Sequence, residues 1–350
     1  MLKRFIAGLL ALCLLPACAL AEASLGINQP MEKGEDWAQI VENSPFQLGE
    51  TEEKSYGGVT YRQTDYGDYP SFDGSTVSVP MAREFARQHL NLQEAELEAF
   101  VRFSTTHSAY VNLIEKKPNL GAELPFTGSV MSDTHPVDIF IGTEPSEEEL
   151  KLAEENGVKL VLTPVCYDAF VFIVNKKNPV ESLTVEQIQD IYTDNIRTWE
   201  DLDVELLDGD GDGYDIYAYT RQRNSGSQTA MENLVMQGKP ITQAHMNFYQ
   251  VFEMSGLVQH IGGYSGASNA IGYTYKFYID TLYKDDGIKA IAIDGVEPTD
   301  ENIRSGAYPF STCYYAVTRE GESTAFVEWM QSDEGQRCIA QAGYIPYIGR

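Results

Sequence analysis

Four turns in this 350-residue chain place hydroxyl and amide donors where an apolar stretch gives way to a helical pattern. They are Asp73-Gly74-Ser75-Thr76, Ser104-Thr105-Thr106-His107-Ser108, Gly142-Thr143-Glu144-Pro145 and Arg221-Gln222-Arg223-Asn224-Ser225-Gly226-Ser227. A helix N-terminus exposes unpaired N–H groups and roughly half a positive charge, so each turn is suited to an oxyanion. Taken singly, each is better read as an ordinary N-cap. Arg221, four residues before Ser225, changes that balance, because arginine supplies a fixed fork of donors matching a tetrahedral oxyanion. The chemistry implied is capture of a small anion.

Other groupings carry less. Asp208-Gly209-Asp210-Gly211-Asp212-Gly213 spaces its carboxylates like the first half of a calcium loop, but Tyr219 stands at the twelfth place, where a bidentate Glu is needed. It reads as an acidic surface turn, and no metal is assigned. Gly263-Tyr264-Ser265-Gly266-Ala267 imitates a nucleophile elbow yet lies in a Gly/Ser/Asn loop that leads into a strand rather than a helix. The five histidines (89, 107, 135, 245 and 260) form no metal-ligating pair. Only His107 sits in a donor turn, and a solvent-facing role and a site role both stay open for it. The 21 Tyr and 15 Phe read as core packing before they read as a sugar-stacking cleft. No catalytic residue and no cofactor is assigned.

The elements that must position these turns alternate short apolar runs with amphipathic segments from Tyr69 onward, the pattern of an α/β protein. Met81, Phe85 and His89 predict a helix after Ser75-Thr76. Ala99–Phe103 is a strand candidate, followed by a helix whose face is Tyr110, Leu113 and Ile114 and which Pro118 closes. Val137–Ile141 is a short strand. An acid-rich helix start follows at Ser146–Glu149, where acidic side chains suit the helix dipole. Lys159–Thr163 and Ala169–Val174 are strands, and Val185–Tyr192 is a short helix. Beyond the fourth turn, Ala230, Met231, Leu234 and Val235 share one helix face. Glu22 to about Tyr66 lacks sustained periodicity and reads as a tether and N-terminal arm.

The first residues form an export leader: Lys3 and Arg4, an apolar run Phe5–Leu15, then Ala19-Leu20-Ala21 as a small-x-small cleavage site. The run is too short to span a bilayer. Leu15-Pro16-Ala17-Cys18 permits a second reading as a lipobox, with Cys18 lipidated. Either way the mature protein is placed outside the cytoplasm, secreted or periplasmic, or anchored to the outer face of the membrane through Cys18. Beyond the leader remain Cys166, Cys313 and Cys338, an odd number, so any single disulfide leaves one of them unpaired. Lys and Arg number 25 against 52 Asp and Glu, a formal charge of −27. Such a chain is no nucleic-acid binder, since affinity for a phosphate backbone needs clustered cations.

An ordered set of segments resembles the substrate-binding proteins of phosphate ABC transporters, the type II periplasmic-binding-protein family. It runs from about residue 70 to 350. The segments are Asp73–Thr76, Val137-Asp138-Ile139, Asp168–Asn175, Leu183–Trp199, Arg221–Ser227, Ala270-Ile271-Gly272-Tyr273, Tyr308-Pro309-Phe310, Ser332–Gln336 and Gly343-Tyr344-Ile345-Pro346. The resemblance implies an α/β, two-lobe fold that closes on dehydrated phosphate. Residues 1–21 are then a signal peptide and 22–66 a tether and arm. Residues 67–167 plus 309–350 form lobe I, and 168–308 form lobe II. It further implies a non-catalytic protein that captures inorganic phosphate as a monomer and delivers it to a membrane ABC permease. Carried over residue by residue, the ligand contacts are Ser75 and Thr76 (first loop), Thr106 (second), Thr143 (third) and Arg221, Ser225, Gly226 and Ser227 (fourth). The third loop departs from the family, several of whose members place an Asp where Thr143 stands. A hydroxyl both donates and accepts, so binding survives this change better than strict discrimination between anions does. Two other readings stay open: a binder of another oxyanion or a surface sensor or adhesion protein on the same fold, and an exported serine hydrolase using Ser265.

Overall fold

A computed structural model describes residues 51–56, 59–64, 69–90, 92, 94–119, 135–206, 215–252, 254–263, 268–284, 287–322 and 325–347. The leader, Cys18, the Asp208–Gly213 turn and Ser265 lie outside the described residues. The chain divides into two compact units: Tyr167–Cys313, and Glu22–Cys166 together with Tyr314–Arg350.

The divided unit opens with a hairpin, β1 (Thr51–Tyr56) and β2 (Val59–Thr64), paired antiparallel from Thr51↔Thr64 to Tyr56↔Val59. The sequence between the strands is Gly57-Gly58, a pair favoured in two-residue hairpin loops, so this part of the expected arm is regular structure. There follow β3 (Phe72–Gly74), a 3₁₀ turn at Thr76–Ser78 leading into α1 (Val79–Leu90), α2 (Glu94–Phe100), α3 (Thr106–Ile114), β4 (Ile139–Gly142) and α4 (Glu147–Glu155). The chain leaves this unit within β5 (Leu160–Asn175) and returns within β13, described below.

The continuous unit holds β6 (Ser182–Leu183), α5 (Val185–Tyr192), β7 (Tyr217–Ala218), β8 (Thr220–Arg221), α6 (Gly226–Ala230) continued by a π-helical turn to Met236, α7 (Gln243–Phe248), β9 (Gln250–Val251), α8 (Met254–Gly262) and β10 (Ala270–Tyr275). It ends with β11 (Ile288–Ala290), β12 (Ala292–Ile293) and α9 (Asp300–Ser305). β13 (Ser311–Arg319) then carries the chain back to α10 (Ala325–Met330), α11 (Asp333–Gln341) and β14 (Ile345–Pro346).

In the divided unit β3 runs parallel to β4, with Gly74 opposite Ile141, and β13 runs antiparallel to β4, with Tyr315 opposite Gly142. The parallel pair sends both C-terminal ends, Gly74-Ser75 and Gly142-Thr143, to the same edge. In the continuous unit β10 and β11 pair antiparallel with β5, β7 runs parallel to β10, and β8 runs parallel to β9.

Local chemistry explains the boundaries. Ser146 and Glu149 close a capping box at the start of α4, and Thr184 and Gln187 do the same for α5. The C-terminal end of α3 is satisfied by a buried arginine: Arg319 Nη1 donates to Leu113 O at 2.6 Å and to Val137 O at 2.7 Å. Two expectations are corrected. Residues 99–103 are not a strand, because Glu94–Phe100 is helical, with Leu97 and Val101 buried one turn apart. A short apolar run fits either period, and the Glu, Ala and Leu before it favour helix. The strands expected at 159–163 and 169–174 are one, β5, whose residues from Ala169 on are all buried.

Many of the described aromatic residues are core, although Phe252 is exposed. Tyr69, Phe326 and Trp329 pack against His89, which lies 4.3 Å from the Trp329 ring and 5.3 Å from that of Phe326, and Phe72 and Phe85 pack on the same cluster. Phe170, Phe172, Tyr192, Tyr273 and Phe310 fill the continuous unit. Cys166, Cys313 and Cys338 are all buried.

Two expected outcomes follow from this packing. Burial lowers the His89 pKa from 6.5 to about 4, so the folded state favours the neutral ring. Its contribution is complete above pH 6.5 and is lost as pH falls toward 4, by up to about 3 kcal/mol. Thermal melts should show Tm falling across that window, and His89→Leu should remove part of the slope. A Cβ on Gly74 would stand 2.1 Å from Ile141 O, so Gly74→Ala must spread β3 from β4. It should cost about 2 kcal/mol and lower Tm by roughly 5 °C.

Candidate oxyanion site

Three of the four donor turns belong to the divided unit, and the fold ties them to one another. The first and third meet through the β3–β4 pairing: Ser75 N donates to Ile141 O at 3.0 Å, and a Cβ on Gly142 would stand 2.8 Å from Ser75 Cβ. The first and second meet through Asp73, whose side chain is fully buried. Its carboxylate accepts from Gly74 N at 2.8 Å, Ser104 N at 2.8 Å, Ser104 Oγ, and Asn112 Nδ2 at 2.9 Å. Burial pushes this carboxyl up from the usual range, while the donors from Ser104, Asn112 and Gly74 pull it back down. The second and third meet through α3: Tyr110 Oη donates to Thr143 O at 2.7 Å, and His107 Nδ1 lies 3.0 Å from Glu149 Oε1. His107 is thus a partner of a buried carboxylate. Burial raises the Glu149 pKa, against the Ser146 and His107 hydrogen bonds.

Within this frame Ser75 is buried and makes no side-chain capping bond, whereas Thr76 is exposed. Thr106 is the buried first residue of α3. Before it, Thr105 has φ 82° and ψ 162°, a region that a β-branched residue enters only under constraint, at a cost of about 1–3 kcal/mol. Thr143 is 4% exposed, and its Oγ1 has no hydrogen-bond partner among the described residues. An orphaned buried hydroxyl is costly to leave unmet, which suits a place where a ligand supplies the partner. The neighbouring Glu144 is exposed, and its carboxylate accepts from Tyr315 Oη at 3.0 Å.

The fourth turn lies in the continuous unit. Arg221, 7% exposed, donates from Nε to Val251 O at 3.0 Å and from Nη2 to Phe252 O at 2.9 Å, while Nη1 lies 3.4 Å from Ser227 Oγ. Two main-chain carbonyls therefore set the plane of the guanidinium without cancelling its charge. The backbone beneath it is also held: Arg221 N donates to Gln228 Oε1 at 3.1 Å and to Tyr273 Oη at 3.0 Å. Burial raises the Tyr273 pKa far above the ordinary phenol value, so Tyr273 stays a neutral donor, here to Gln228 Oε1 at 2.5 Å. Ser225 is the N-cap of α6, accepting from Gln228 N at 3.2 Å, and Gly226 O accepts from Tyr275 Oη at 3.2 Å. Both serine hydroxyls retain a proton to donate.

The structure brings Ser75, Thr106 and Thr143 onto one tied set of loops and Arg221, Ser225, Gly226 and Ser227 onto another. Sequence reading passes over Asp73, Ser104, Asn112, Gln228 and Tyr273 as site-builders. Asp73 and Gln228 lie inside or beside the donor turns, but they also rely on partners 31 to 45 positions away. No group of side chains suited to hold a metal ion occurs among the described residues.

The model of the PBP superfamily domain matches residues 126–334, more than half of the chain. The phosphate-binding protein PstS of Pseudomonas aeruginosa is 26% identical over 259 residues, covering 65% of this chain and 75% of its own. PstS of Staphylococcus epidermidis is 27% identical over 209 residues, covering 57% of this chain and 60% of its own. An ABC-type phosphate transport receptor from Vibrio cholerae superposes with TM-score 0.54 at 19% identity, over 80% of this chain and all of that one. A high-affinity periplasmic phosphate-binding protein bound with phosphate gives 0.52 at 14%, over 79% of this chain and 90% of that one. These likenesses agree with the α/β architecture and its type II periplasmic-binding-protein topology, and by the match across more than half its length the chain belongs to the PBP superfamily.

Proposed function

We propose that this protein captures inorganic phosphate and hands it to an ABC-type importer. The observation that carries the reading is the buried Arg221 guanidinium, aimed by the Val251 and Phe252 carbonyls and flanked by the Ser227 hydroxyl. It occurs in a chain whose relatives bear the name phosphate-binding protein PstS. Arg221, Ser225, Gly226 and Ser227 supply charge and donors from one unit. Ser75, Thr76, Thr106 and Thr143 supply hydroxyls from the other. No step of this process needs a nucleophile, and the protein acts as a binder rather than an enzyme. It works as a monomer outside the cytoplasm, with a membrane permease as its partner. In support, the N-terminal residues have the composition of an export leader, and no helix among the described residues is long and apolar enough to cross a membrane.

Thr143 favours one refinement of the anion's identity. A hydroxyl can donate to an oxyanion that carries no proton, whereas an ionised carboxylate at that place would repel it. Sulfate is therefore a weaker but real competitor.

Titration calorimetry tests the reading. Phosphate should bind with a micromolar or tighter Kd, and sulfate should displace it at higher concentration. Arg221→Ala should weaken binding at least about 100-fold, the cost of about 3 kcal/mol for a lost charged partner. Arg221→Lys should recover only part of the loss, because an ammonium cannot reproduce the fork. Absence of phosphate binding to the unaltered chain, with no rise in Tm when phosphate is added, would overturn the proposal.

A further inference from the structure

We propose that Asp73 is a positioning residue for the anion: it touches no ligand itself but sets two of the donor loops that do. The inference rests on the phosphate reading for its ligand, while the linkage it describes is a property of the divided unit alone.

Asp73 is the middle residue of β3, fully buried, and one carboxylate there accepts four donors from three stretches of chain. Gly74 N belongs to the first loop, and Ser104 N and Oγ belong to the second. Asn112 Nδ2 belongs to α3, the helix that the second loop starts, and also reaches Ser104 Oγ at 3.3 Å. The bonds converge where the backbone needs holding. Ser104 directly precedes Thr105, whose φ of 82° a threonine does not keep unless its surroundings enforce it. Thr105 O accepts the first helical bond of α3, from Ala109 N at 2.9 Å, so the conformation at Thr105 sets where α3 begins and where the Thr106 donors point. On the other side, Asp73 holds Gly74 N one residue before Ser75. A single buried acceptor thus couples the aim of Ser75 to that of Thr106.

Removing such an acceptor leaves up to four buried or half-buried donors in search of partners, so the loops relax before the anion arrives. Second-layer residues of this kind cost about 10- to 100-fold in affinity at metal sites, and the same logic applies to an oxyanion gripped by preset hydroxyls. The inference differs from a purely structural role in what it couples: Asp73 acts with Ser75 and Thr106, and not with Ser227 on the other unit.

The test uses the full chain and the variants Asp73→Asn and Ser104→Ala, the second keeping the carboxylate should the first fold poorly. In ligand-free protein, amide hydrogen exchange should accelerate at 75–78 and at 106–108 in either variant and stay unchanged at 225–230. Calorimetry with inorganic phosphate at a temperature well below Tm should give a Kd raised about tenfold or more for Asp73→Asn. Combining Asp73→Asn with Thr106→Val should weaken binding by less than the product of the single effects, whereas combining it with Ser227→Ala should multiply. Unchanged exchange in the second loop, a Kd within twofold of the parent, or multiplication with Thr106→Val would each overturn the inference. Failure of the unaltered chain to bind phosphate would instead remove the functional reading and leave the exchange result to decide the linkage.

Discussion

A small oxyanion gives up its water only to donors that already stand where the water stood. Donors that must be ordered at the moment of binding spend the interaction on their own entropy. Most of the polar architecture described above answers that constraint. In the divided unit, three loops emerge from the ends of paired strands and the starts of helices, and hydrogen bonds between the loops fix them. In the continuous unit, Arg221 would otherwise sweep through many rotamers; Val251 O and Phe252 O hold its plane, and Gln228 and Tyr273 hold its backbone. The residues that would meet an anion are few, and those that hold them outnumber them.

The same constraint resolves an apparent contradiction in the charge. A chain at −27 seems a poor receptor for a dianion. Charges on the surface are screened over about 8 Å at physiological ionic strength, however, so the sum over the molecule does not set the potential at a buried guanidinium. Local donors decide: one arginine, helix starts, hydroxyls and neutral phenols. The acidic surface serves solubility and slows encounter with anions, an effect on rate rather than on the sign of the interaction inside.

How much of this could be read from the chain depends on the range of the physics involved. Helix α5 matches its expected limits, Val185–Tyr192, because its capping box and apolar spacing are both local signals. The fourth donor turn was legible for the same reason, since Arg221, Ser225 and Ser227 lie within seven positions. Residues 99–103 read as strand from the sequence because a short apolar run carries no period of its own. The hairpin at 51–64 escapes sequence reading although Gly57-Gly58 marks it, because the strands around it lack apolar alternation. Asp73 was visible as a letter but not as a hub: Ser104 and Asn112 stand 31 and 39 positions on, and nothing in the spacing announces them. The orphaned hydroxyl of Thr143 is the opposite case, since the sequence marks the position and only the packing around it reveals that its hydrogen bond is missing.

The central claim is that the Arg221 turn binds phosphate, and a crystal structure of the full mature chain grown with phosphate tests it most directly. The account predicts a tetrahedral ion with oxygens about 2.7–3.1 Å from the Arg221 guanidinium and the Ser227 hydroxyl. Clear density for phosphate elsewhere, with no phosphate oxygen within hydrogen-bond distance of the Arg221 guanidinium, would contradict it.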